Sequence, residues 1–126
     1  MFSGEAEIQA RRRTLAVLQD EIRTVLDASR GLSQAYEFLL QNDQEGLQAC
    51  IEKIKKSEDD AESLRRTLTR ELGEIGNMLM NREDLLRTSY DIEEIAGYVS
   101  GTAFRFKQIS PKILKKLGLT KTVKNS

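Results

Sequence analysis

Apolar residues return along most of this chain at intervals of three, four and seven. That is the spacing of one face of an α-helix, not the alternation of a strand. The clearest run lies between Cys50 and Ile75. Ile51, Ile54, Ala61, Leu68, Leu72 and Ile75 form one seam of a long helix, predicted from about Gln44 to Gly73. Asp43 is its expected N-cap, and Gly73, Gly76 and Asn77 loosen its end. Carried through its gap, the seam lands on Glu58, with Glu62 one turn later and Asp59 and Asp60 between them. A carboxylate facing a core is costly, and acids at i and i+4 repel by roughly a few tenths of a kcal/mol. A sequence that accepts such a penalty marks the first place to look for function.

Upstream, Ile8, Leu15, Leu18, Ile22, Val25, Leu32, Tyr36 and Leu39 predict a helix over about residues 5–41, with Ser3 as its N-cap and Glu5 and Glu7 in its first turn. Gly31 interrupts it at a cost of about 1 kcal/mol relative to Ala. The seam keeps its phase across Gly31, which predicts continuity with room for a bend; two helices meeting near Ser29–Gly31 are the alternative. Downstream, Asn81 caps a third helix that runs to about Lys107 through Leu85, Ile92, Ile95, Val99, Ala103 and Phe106. Beside that seam lies a row of small residues, Ser89, Ala96, Gly97, Ser100 and Gly101, which lets a neighbouring helix approach closely. Ser110-Pro111 opens a short basic helix with Ile113, Leu114 and Leu117, and Gly118 closes it. The expected fold is therefore all-α: an up-down antiparallel bundle of three long helices (residues 1–107), followed by a short basic helix and a frayed tail (residues 108–126).

Composition narrows the chemistry. At 126 residues, 32% charged and 6% aromatic, the chain is long enough for one helical domain. No apolar run approaches a membrane span, and the start MFSGEAEIQARRR lacks the apolar core of a secretory signal. The single cysteine, Cys50, cannot form an internal disulfide and suits a reducing cytosol, so a cytoplasmic location is expected. The absence of histidine excludes Glu-x-x-His di-iron sites, most zinc sites and a Ser-His-Asp triad. There is no glycine-rich phosphate loop, and nothing activates Cys50, so no enzymatic activity is expected. Charge is balanced overall but unevenly spread: residues 105–126 hold seven cations and no acid, and residues 1–104 hold thirteen cations against twenty acids. The basic tail suits an anionic lipid surface, an acidic partner or an ordinary soluble terminus. Arg11-Arg12-Arg13 has no interleaved aromatic and reads as a solvated helix face, not a nucleic-acid contact.

Two readings of the acids stay open on pattern alone. Glu58 and Glu62, one turn apart, can chelate a hard cation together with Asp91, Glu93 and Glu94 of the third helix. Alternatively they form a solvated face paired with Lys55, Lys56, Arg65 and Arg66. Two stretches bear on the choice. One is Glu58-Asp59-Asp60-Ala61-Glu62 with Ser63-Leu64-Arg65-Arg66. The other is Asn81-Arg82-Glu83-Asp84-Leu85 continuing to Tyr90-Asp91-Ile92-Glu93-Glu94-Ile95-Ala96-Gly97. Together they resemble the PhoU-like proteins, in particular the branch found beside Pit-type phosphate transporters, with its E-x-x-x-D repeat, R-E-D-[IL] helix start and D-D-I-A-D run. The resemblance covers roughly residues 5–107. It implies a cytoplasmic helical bundle that acts as an accessory or regulator of phosphate transport by contacts with the cytoplasmic face of a transporter. It also implies a divalent cation or iron held by oxygen ligands only, with Glu58, Glu62, Glu93 and Glu94 as the matched positions. Gly97 stands where the family's run ends in Asp. Beside this stands a reading of another class: a helical scaffold or dimerisation module with no ion role. Three helices leave a flank that the short helix only partly covers, so a homodimer is expected.

Overall fold

The structure, a computed structural model, describes residues 4–75, 81–109 and 111–118. Four helices follow one another: α1 (Gly4–Leu40), α2 (Gln44–Ile75), α3 (Arg82–Phe106) and α4 (Pro111–Lys116). Ser3, Gly76, Asn77 and Ser110, expected to act at helix ends, lie outside the described residues.

The three long helices form an up-down bundle. Position by position, α1 and α2 run antiparallel: Arg13 pairs with Glu71, Gly31 faces Ile54 and Gly46 faces Phe38. α1 and α3 run parallel, with Glu21 bonded to Ser89 and the ring of Tyr36 6.0 Å from that of Phe106. The tight turn between α1 and α2 places Asn42 at φ 58°, a conformation asparagine tolerates. Asp43 caps α2 as expected, its Oδ1 accepting the Gly46 N–H at 2.9 Å. Asn81 occupies the cap position of α3, but its side chain makes no capping bond.

α1 is continuous through Gly31. A Cβ there would lie 2.8 Å from Ile54 Cγ1, so the glycine is what lets α2 come this close. The α2 seam is buried as the pattern predicts: Ile54, Ala61, Leu68 and Leu72 are inside, joined by Leu47 and Cys50, and Ile51 packs against them. Leu114 anchors α4 into the same core.

The α1 seam differs from expectation. Its fully buried row is Thr14, Glu21, Ala28 and Ala35, spaced by sevens, while Ile8, Leu15, Ile22 and Tyr36 remain 44–51% exposed. Leu18, Val25 and Leu32 sit between these rows and are half-buried. The physical reason lies on α3, where Ser89, Ala96 and Ala103 are also spaced by sevens and fully buried. Two parallel helices that meet along small side chains approach closely, which leaves the larger apolar row on the flank. Ile95, expected in the α3 seam, is exposed for the same reason.

Candidate functional site

Both candidate acidic stretches lie where α2 and α3 cross. On α2, Glu58 is half-buried and faces Gly97 of α3; a Cβ at residue 97 would sit 3.4 Å from Glu58 Oε2. Two turns further along α2, Arg65 reaches across to α3. Its Nε donates to Glu93 Oε2, and its guanidinium lies 4.7 Å from the centre of the Tyr90 ring. These contacts define one wall of a groove of about 620 Å³ lined by Glu58, Arg65, Tyr90, Glu93, Glu94 and Tyr98, with Asp91 and Gly97. The groove is open along one side. Tyr90, Asp91, Glu94 and Tyr98 are exposed, and Asp91 and Glu94 carry no ion pair among the described residues.

Of the four residues singled out from sequence, Glu58, Glu93 and Glu94 share this groove, and Glu62 does not. Each of three already has a cation. Glu58 accepts from Lys55 Nζ at 3.2 Å, Glu62 from Arg66 at 2.6 Å, and Glu93 from Arg65. The bond from Lys55 to Glu58 is also the main reason the Lys55 amine is held above its ordinary range. The acids are therefore divided among ion pairs and not gathered into a ligand set. Among the described residues no group of three or more Cys, Asp or Glu side chains is placed to hold a metal ion.

Behind the groove lies an acid that the periodicity did not single out. Glu21 of α1 is fully buried, and its Oε1 accepts the Ser89 hydroxyl at 2.6 Å. Its Oε2 has no partner. Burial pushes this carboxyl from 4.5 to about 7; the Ser89 bond opposes the rise, Glu93 adds to it and Arg65 opposes it. A signal for Glu21 exists in the sequence, since it is seven residues from Thr14 and from Ala28, in a row of small residues that matches the row on α3.

The other candidates are quieter. Cys50 is a buried core residue whose thiol burial pushes up, away from the reactive thiolate. Arg11 and Arg13 lie on an exposed face and pair with Glu7 and Glu71. No described helix is long and apolar enough to cross a membrane.

In chemical terms the groove is an acidic, tyrosine-flanked slot with one internal arginine. What it can do is accept a cationic side chain between carboxylates and tyrosine faces. Comparisons of the chain with protein-family models, with curated proteins and with solved structures returned no match.

Proposed function

We propose that this chain is a PhoU-like accessory of phosphate transport that works by docking, and that the groove between α2 and α3 is the docking site. The observation that carries the reading is a convergence. The stretch 58–66 and the stretch 81–97, which bear the resemblance, are far apart in the sequence, yet they meet across one groove, where the Glu58 carboxylate faces the backbone of Gly97 and Arg65 bonds Glu93. Around this contact Tyr90, Asp91, Glu94 and Tyr98 stay exposed on the open rim, within reach of a partner.

The mechanism is recognition without catalysis. A lysine or arginine from a cytoplasmic loop of the transporter enters between Asp91 and Glu94, and the tyrosine faces take its alkyl stem. Arg65 stays with Glu93 and keeps that wall rigid. The acids thus serve a cationic side chain in place of a metal ion. A pull-down with a Pit-type transporter's cytoplasmic loops tests the proposal. Retention that falls on reversing the charge of Asp91 and Glu94 is the expected result, and no retention of the native chain refutes it.

A second reading rests on a different surface. Ile8, Leu15, Ile22 and Tyr36 form an exposed apolar row spaced by multiples of seven along α1, the geometry of a helix-pairing seam. A second copy of the chain covering this row makes a homodimer. Light scattering at micromolar concentration decides it: a dimer supports this reading, and a monodisperse monomer removes it.

A further inference from the structure

We propose that the end of the bundle formed by the last turn of α3 and by α4 is a binding surface for an anionic lipid bilayer, independent of the groove. Three observations converge there. First, α4 is fixed to the body by Leu114, which is buried in the core, while Ile113 and Leu117 are 54% and 64% exposed and Lys115 and Lys116 are solvent-facing. Second, the adjoining turn of α3 repeats the combination, with exposed Phe104 beside exposed Arg105 and Lys107. Third, the charge of the whole chain is polarised along the sequence: residues 105–126 carry seven cations and no acid, and the remainder carries seven more acids than cations.

An anionic surface therefore attracts this end and repels the body, which orients the molecule before contact. Large apolar side chains interleaved with lysines are what an interface of headgroups and acyl chains accommodates: the cations meet phosphates while Ile113, Leu117 and Phe104 enter the acyl boundary. An acidic segment without an apolar face satisfies the lysines but leaves Phe104, Ile113 and Leu117 uncovered. The acids at this end, Glu37, Asp43 and Glu45, belong to the α1–α2 hairpin, and Asp43 is committed to capping α2.

The test is co-sedimentation of the full chain with vesicles of phosphatidylcholine alone or mixed with phosphatidylglycerol, without any transporter. The expected result is binding to the mixed vesicles only, lost in high salt. Lys115→Glu with Lys116→Glu, and separately Ile113→Ser with Leu117→Ser, should each weaken binding by about tenfold or more while the helical signal and melting temperature stay unchanged. Asp91→Lys with Glu94→Lys in the groove should not weaken it. The proposal is overturned by absence of binding to both vesicles, by equal binding to both, or by indifference to both pairs at α4. Capture on immobilised polyglutamate without vesicle binding also overturns it, and assigns this end to an acidic polypeptide.

Discussion

Helix α3 meets its neighbours on two faces, and they treat a carboxylate in opposite ways. Toward α1, the row Ser89, Ala96 and Ala103 is fully buried and closes over Glu21, an acid with one hydroxyl partner and no cation bonded to it. Toward α2, Glu93 is held by Arg65 beside Gly97, at the edge of an open groove whose exposed acids Asp91 and Glu94 carry no ion pair among the described residues. The two faces differ in access. Sealing an acid raises its proton affinity and ties it to the fold, whereas an acid on an open rim keeps its access to solvent and can exchange partners. The first face is part of the packed interior; the second stays open to solvent.

The largest effect should come from widening the sealed face. Ala28→Leu, on the α1 row that faces α3, is expected to cost about 3 kcal/mol of unfolding free energy in urea titration, because a close-packed approach cannot take three extra heavy atoms. A cost under about 0.5 kcal/mol would mean that the two small rows do not set the helix spacing.

Glu21 gives an effect of similar size, but one that depends on pH. Its folded pKa, about 7, lies above the ordinary value of 4.5. In that window the folded chain keeps a proton that the unfolded chain has released, so stability falls as pH rises from about 4.5 to about 7 and is level above. The full drop is about 3 kcal/mol if the whole shift is expressed. Glu21→Gln should flatten this segment of the profile in thermal melts taken across the window. An unchanged slope in the variant would assign the pH dependence to another group.

On the open face the same kind of change should matter less to stability. Arg65→Gln leaves Glu93 without its cation while still within reach of solvent, an expected loss of about 1 kcal/mol. A loss as large as that from Ala28→Leu would show the groove wall to be part of the core. Gly97→Ala is gentler still, within about 0.5 kcal/mol of the native chain, since the new methyl meets Glu58 Oε2 only at ordinary contact distance. Gly31→Ala, by contrast, should be distinctly destabilising because its methyl meets Ile54 at 2.8 Å. The smallest expected effect is that of metal. Mg²⁺, Mn²⁺ or Fe²⁺ should shift the melting temperature of the native chain and of Glu58→Gln with Glu62→Gln alike. A rise present in the first and absent in the second would make an ion, not a side chain, the occupant of these acids.

Much of the fold was legible because its signals are local. The α2 seam, the Asp43 cap, the start of α4 at Pro111 and its end at Gly118 each follow from a few neighbouring residues, and Gly118 does adopt φ 71°. The α1 face was not, because burial there is decided by α3. Hydrophobicity favours Ile8, Leu15 and Ile22, but the matching small row on α3 lets Glu21, Ala28 and Ala35 face inward instead. For the site, Glu58 stood out as an acid on an apolar seam, and the structure explains how it is tolerated: it lies at the edge facing Gly97, paired with Lys55. Its grouping with Glu93 and Glu94 was legible from the acidic stretches. The separation of Glu62, and the insertion of Arg65 among the acids, depend on how α2 and α3 are rotated against each other, which single-helix periodicity does not encode.

The most direct test of the open face as a docking site is the affinity of the purified chain for the cytoplasmic loops of a Pit-type phosphate transporter, measured for the native chain and for Asp91→Lys with Glu94→Lys. Both residues are exposed, so the variant should keep its melting temperature. The account predicts measurable binding that falls by about tenfold or more in the variant, as expected when charge partners are lost or reversed at a recognition site. Binding that is the same in both proteins, or absent from the native chain, would contradict it.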